Sequence, residues 1–175
     1  MTEREPDEVT NLDRYGNPPL PWSRPHAILS VGALGPGTTC FLGTSTKAGL
    51  PHAAGVGGVW HDGDMYFASG PGTRKSRDLD ANPACTIAMR LEGIDLVLEG
   101  SAERVTDGGT LEQLASLYRS GGWPAEVDGD SLTAPFSAPS AGPPPWHLYR
   151  FTVHTAVGVA TAEPYGATRW RFQRA

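Results

Sequence analysis

From residue 38 to residue 106 apolar and polar positions alternate with a period of two, and Gly, Pro, Asn or Asp break the alternation at short intervals. This is the pattern of short, half-buried strands. Residues 38–45 set Cys40, Leu42 and Thr44 against Phe41 and Gly43, and a turn through Lys47, Gly49 and Pro51 sends the chain back antiparallel. Residues 52–60 predict a second strand that is unusually light, because Ala53, Ala54, Gly55, Gly57 and Gly58 replace bulk. Small residues weaken a strand unless something must approach its backbone. Residues 64–68 follow across His61-Asp62-Gly63, and Asp-Gly between extended apolar runs is a strong hairpin signal. Residues 84–90 form the next strand. Residues 94–104 give the clearest one, with Ile94, Leu96 and Leu98 on one face and Asp95, Val97 and Glu99 on the other. Residues 147–159 resume the alternation, and 167–172 close the chain. The sum is about six to seven mostly antiparallel strands, a mainly β fold of the small-barrel kind with short helices on its rim.

Helical periodicity is sparse. Thr73 is placed to cap a helix that begins with Arg74 and Lys75 and stops before Asn82-Pro83. Thr110 and Gln113 fit a capping box, with Leu111, Leu114, Ala115 and Tyr118 on one face of a helix that ends at Gly121-Gly122. A short helix is expected near Trp22, within residues 21–34. Residues 1–19 are charged or turn-prone and read as a flexible arm, leaving 20–175 as a single domain. Inside it, residues 123–145 have no periodicity and carry prolines at 124, 135, 139, 143, 144 and 145. So long a connection is either a lid or a mobile excursion, with Trp123 and Phe136 as its anchors.

A net charge of −5 argues against a general nucleic-acid surface. No apolar run approaches the length of a membrane span, and the first residues lack the pattern of a secretion signal, so the expected location is cytoplasmic. Cys40 and Cys85 sit in strand-like apolar surroundings and read as buried free thiols. Five scattered histidines have no metal-ligand spacing, and no metal site is expected. No nucleophile elbow or mononucleotide loop occurs, and Asp62/Asp64 and Asp78/Asp80 read as turn and helix-surface residues. Redox chemistry here would come from a cofactor, and no catalytic side chain is assigned.

The stretch that carries most chemistry is Ser69-Gly-Pro-Gly-Thr-Arg-Lys-Ser-Arg77. A strand, a glycine turn and a helix start bring outward-pointing amides, hydroxyls of Ser69, Thr73 and Ser76, and adjacent cations to one place, which suits an anion. Cations in a first helical turn oppose the helix dipole, a local conflict expected where ligand binding chose the residues. A solvated basic turn is the competing reading.

Several segments, in their order and spacing, resemble the flavin- or deazaflavin-binding split β-barrels of the pyridoxamine 5′-phosphate oxidase superfamily. They are Gly49-Leu-Pro-His52, Val59-Trp-His-Asp-Gly63, Thr73-Arg-Lys-Ser-Arg-Asp-Leu79, Asn82-Pro83, Asp95-Leu-Val-Leu-Glu-Gly100 and Thr168-Arg-Trp-Arg-Phe172. The resemblance implies a homodimer with cofactor sites at the subunit interface, holding FMN or F420. It implies that Arg74 and Lys75, with Ser69 and Ser76, grip the cofactor phosphate. By the same resemblance, Gly55, Val56, Gly57 and Gly58 run beside the ring, Asp95 stands near it, and Arg169 and Trp170 close the site. His52, Tyr66 and Trp170 are expected to line the pocket, and Arg24, Lys47, Arg77 and Arg169 are candidates for an F420 tail groove. Ala54 stands where the vitamin-B6 oxidase has an arginine, and Asp78 where it has an asparagine, which points away from B6 oxidation. The expected activity is hydride transfer to or from an unidentified small molecule. The alternatives are a non-catalytic carrier of flavin, F420 or haem, and a cofactor-less dimer.

Overall fold

The computed structural model describes residues 4–34 and 38–173. Strand β1 (Glu8–Asn11) and helix α1 (Ser23–Leu29) precede β2 (Cys40–Ser45), β3 (Pro51–Val56), β4 (Gly58–His61) and β5 (Asp64–Ser69). Helix α2 (Arg74–Ala81) leads into β6 (Ala84–Leu91) and β7 (Ile94–Val105), and helix α3 (Gly108–Ser120) follows. A small hairpin of β8 (Glu126–Asp128) and β9 (Ser131–Thr133) comes next, and then β10 (His147–Ala160) and β11 (Ala167–Arg171).

Antiparallel pairing orders the main sheet β1-β11-β10-β7-β6-β2-β3, with β4 and β5 joined to it through β10. The long strand β10 pairs with β7 from Leu148 to Ala160 along one side. Its other side is shared: His147–Phe151 pair with β5 and Thr155–Val159 with β11. The register slips between Val153 and Thr155, where one set of partners gives way to the other. The result is a split β-barrel, mainly β, as the alternation and the family resemblance imply.

The period-two pattern fills the barrel. Leu42, Ile87, Leu96, Leu98, Phe67 and Phe151 point inward and are buried. At one end Trp22 meets Trp170 edge-on at 5.4 Å and Phe172 at 5.0 Å. A second cluster lies outside the β4–β5 hairpin, where α3 lays Leu111, Leu114, Ala115 and Tyr118 against Val59 and Tyr66. No helix among the described residues is long and apolar enough to cross a membrane.

Several expectations need correction. More strands form than the alternation indicated, because β1, β8 and β9 are short and the light second strand is two. Gly57 interrupts it, so β3 pairs with β2 and β4 with β5. A Cβ at Gly58 would stand 3.0 Å from Met65 Sδ and 3.1 Å from Cys40 Sγ, so the glycine permits a close crossing. Within the expected arm, residues 8–11 are β1, fixed to β11 by backbone pairing and by Glu8 with Arg171 at 3.1 Å. Helix α3 starts earlier than the capping box implied: Asp107 is the cap, accepting from the Thr110 amide at 2.8 Å.

Two carboxylates expected at the surface are buried. Asp64 lies between Arg150 (3.0 Å) and Arg4 (3.6 Å), and burial raises its pKa against their pull. Asp78 lies on the inner side of α2. Other expectations hold. Asp62 and Gly63 take positive φ at the hairpin turn. Both cysteines are buried and free. Trp123 and Phe136 both pack toward Trp146, at 5.7 and 6.5 Å.

Candidate functional site

β5 ends at Ser69, the chain turns through Gly70-Pro71-Gly72, and Thr73 caps α2 by accepting from the Ser76 amide at 3.3 Å. The turn is braced from within. Ser76 Oγ donates to the Gly70 carbonyl at 2.9 Å, as does Thr73 Oγ1, and Ser69 Oγ lies 2.8 Å from Ser76 Oγ. Ser69 and Ser76 are each only 1% exposed. These hydroxyls therefore fix the shape of the turn, where the sequence suggested that they face a ligand. The first amide bonded back along the helix is that of Arg77, to the Thr73 carbonyl. The Arg74 and Lys75 amides precede it, the usual orphan donors of a helix start.

Lys75 is the unusual member of this group. Its side chain is buried, at 7% exposure, and no hydrogen bond or ion pair among the described residues holds its ammonium. Burial alone pushes its pKa below the ordinary lysine value. The stem is covered while the ammonium is not among the buried polar atoms cut off from solvent, so the charge is only partly desolvated and an anion beside it would give it a partner. Arg74 stays half exposed, with its Nη2 3.4 Å from the Pro51 carbonyl at the start of β3. Asp78 does not stand against an anion here as a free charge. Its Oδ2 accepts from buried Thr44 at 2.9 Å and lies 3.7 Å from Arg74 Nε. Thr44 was not picked out from the sequence, because nothing local links it to α2.

β3 runs beside α2 and β5, and its end is open. Nothing lies within 4 Å of a Cβ placed on Gly55 or Gly57. The Gly57 carbonyl accepts from the Tyr118 hydroxyl at 3.3 Å. Val56 is half buried against the core and Gly58 is covered. An open groove of about 860 Å³ begins at Thr44, Pro51 and His52 and continues past Thr86 and Glu99 to His154.

The remaining expected residues are not brought to this place by one chain. Trp170 is fully enclosed beside Trp22, and Tyr66 is 6% exposed under α3, so neither offers a face to a ligand. Asp95 is engaged by Arg90 at 2.7 and 3.1 Å near the β6–β7 turn, with the length of β2 between it and α2. Arg169 lies on β11, 3.4 Å from Thr10 Oγ1, with its buried Nε unpartnered. The cations proposed for a longer acidic tail do not converge. Arg24 binds the carbonyls of Gly93, Ala162 and Pro164, and Arg77 binds that of Gly72. Among the described residues no cluster of His, Cys, Asp or Glu could hold a metal ion.

No curated protein matches the sequence. Solved structures do share its fold. General Stress Protein 26 from Bacillus anthracis is 18% identical with a TM-score of 0.51, over 76% of this chain and 88% of that one. A pyridoxamine 5′-phosphate oxidase-related, FMN-binding protein from Nostoc punctiforme is 16% identical with a TM-score of 0.51, over 78% and 81%. A structure described as an F420 reductase is 18% identical with a TM-score of 0.50, over 75% and 94%. At these identities the likeness establishes the fold alone. The family model described as pyridoxamine 5′-phosphate oxidase matches residues 34–163, from ahead of β2 to just beyond the end of β10, and the chain belongs to that family.

Proposed function

We propose that the chain is an oxidoreductase that uses FMN or F420 and works as a homodimer on a small molecule. The observation that carries this reading is Lys75 beside Arg74 at the start of α2, a cation with a covered stem and no counter-charge among the described residues. A phosphate there would pair with Lys75 and Arg74 and accept from the first amides of the helix. The FMN-binding and F420-named relatives by fold support the choice of cofactor class. When bound, the ring supplies hydride transfer.

The chain's own residues would supply position and shelter. Lys75 and Arg74 hold the anionic end, and the bare backbone at Gly55 and Gly57 admits a flat ring. The 136–146 segment, fastened through Trp146, covers the neighbouring surface and limits water. No side chain is needed as a base. Because Arg24 and Arg77 are engaged elsewhere, FMN with its single phosphate suits the site better than F420.

Pairing of two copies is supported by the outer sheet face. Register places Gly55, Phe41, Ala88, Val97, Val157 and Arg169 in one row across it. Phe41 is 53% exposed and Val97 38%. Gly55 and Arg169 are five strand spacings apart, about 24 Å along the sheet. One chain cannot bring both to one ligand, whereas two copies packed on this face would.

Titration of the purified protein with FMN and with F420, followed by absorbance and by light scattering for mass, tests the reading. Saturable binding of one cofactor to a dimer is expected, with Arg74→Ala plus Lys75→Ala abolishing it. Equal binding by parent and double variant would remove the site from α2.

A further inference from the structure

We propose that the recess between α3, the β4–β5 hairpin and the 138–146 segment is a binding site for a neutral, single-ring aromatic molecule. As the place where a substrate meets the ring, it rests on the cofactor reading above; as a binding site it stands on its own geometry.

The recess holds about 170 Å³ and is walled by Tyr118, Trp123 and Trp146 over a floor of Gly57 and Ala68, with Ala138 at its rim. Tyr118 and Trp123 stand perpendicular, centroids 4.7 Å apart, and Trp123 and Trp146 are tilted by 48° at 5.7 Å. Three rings at different angles present both faces and edges inward, the arrangement in which a further ring finds edge-to-face and offset partners. An apolar cavity of about 150 Å³ accommodates benzene. The space therefore suits one ring with a small substituent and is too small for the three fused rings of a flavin.

Two of the polar groups at its edge are already engaged. The Tyr118 hydroxyl donates to the Gly57 carbonyl at 3.3 Å, and the Trp146 indole N–H donates to the Gly142 carbonyl at 3.3 Å. Burial pushes the Tyr118 phenol up, so it remains neutral. Among the described residues no acidic or basic side chain lines the recess. A carboxylate entering it would lose hydration and gain no charged partner, and an ammonium would have only ring faces in exchange for its water.

Position gives the site its meaning. Gly57 belongs to the bare run proposed to face the cofactor ring, and Ala68 directly precedes Ser69 of the phosphate turn. The Ala141 carbonyl is seated on Gly70, where an added Cβ would stand 2.2 Å from it, so the segment roofing the recess is also the one resting on that turn.

Toluene is a suitable probe, read through the tryptophan indole ¹H–¹⁵N signals, with those of Trp123 and Trp146 assigned from Trp→Phe spectra. Saturable shifts of these two signals are expected, with Trp22, Trp60 and Trp170 unmoved. Ala138→Leu, and independently Ala68→Leu, should weaken toluene binding at least tenfold while the Trp170 signal reports an intact core. No saturable shift up to the solubility limit overturns the proposal, as does tighter binding of tetramethylammonium than of toluene, or unchanged affinity in both leucine variants. Repeating the titration with FMN separates the two readings. Toluene binding in a protein that takes up no cofactor sinks the cofactor reading and keeps this one. Displacement of toluene by FMN shows that the recess receives the cofactor, and sinks this one.

Discussion

Replacing Lys75 with methionine tests the site through two effects of opposite sign. Methionine keeps most of the volume of a covered side chain and removes a charge that has no partner among the described residues. An unsatisfied buried polar group costs about 1–3 kcal/mol, and the Lys75 ammonium is only partly withdrawn from water, so the ligand-free variant should be more stable than the parent by a fraction of that, about 0.5 kcal/mol. For a chain of this size each kcal/mol moves Tm upward by about 2–4 °C. FMN binding should move the other way. A charge-assisted contact contributes about 1.5–3 kcal/mol, so affinity should fall about 10- to 150-fold. The pH dependence checks the cause. The folded pKa of Lys75 lies below its ordinary 10.5, so between the two values the unfolded chain binds the extra proton and parent stability rises with pH. The advantage of Lys75→Met is thus full at neutral pH and shrinks as pH climbs through the depressed pKa toward 10.5. Thermal melts of apo-protein from pH 7 to 10, together with FMN titration at pH 7.5, measure both. A variant no more stable than the parent that binds FMN with unchanged affinity would refute the reasoning.

Val97→Arg, on the outer row of the sheet, should give a folded monomer by light scattering while leaving the far-ultraviolet spectrum unchanged; a persistent dimer would place the contact elsewhere. Burial pushes the thiols of Cys40 and Cys85 up to about 11 and about 12, so neither should react with a disulfide reagent at pH 8 until the protein is unfolded. Gly158→Ala should cost about 1–3 kcal/mol in urea melts, because its Cβ would stand 2.8 Å from the Trp170 ring and from Ile94 Cδ1.

What the sequence revealed was what is decided locally. Asp62-Gly63 turns the hairpin because those two residues accept positive φ, and Thr73 caps α2 because its hydroxyl reaches an amide three residues on. Ile94, Leu96 and Leu98 turn inward because a strand fixes their parity. What escaped depended on distant partners. Asp64 has an acid's polarity and a turn's neighbours, and only Arg150 on β10 and Arg4 near the N-terminus make its burial tolerable. Glu8–Asn11 carries too little apolar surface to announce a strand, yet β11 has an open edge for it. Trp170 was placed at the site by resemblance, but the space beside Gly158 and Trp22 draws it into the core. In the candidate site, the adjacency of Arg74 and Lys75 is plain from the sequence, while the covering of the Lys75 stem and the closure of the hydroxyls on Gly70 required the packed turn. The three-ring recess was missed because Tyr118, Trp123 and Trp146 come from a helix, its exit and a loop end.

The division of β10 between two neighbours also governs the order of assembly. Everything made before residue 147 includes β5 and β7, and both are missing a flank until His147–Ala160 emerges and lies between them. Strand β11 then has only the far half of that same segment to join, and β1, though made well before it, has to wait for it. Closure therefore waits for β10 and β11 and joins β1 to β11 across the length of the domain, which makes the nascent chain dependent on protection of its unpaired edges until then.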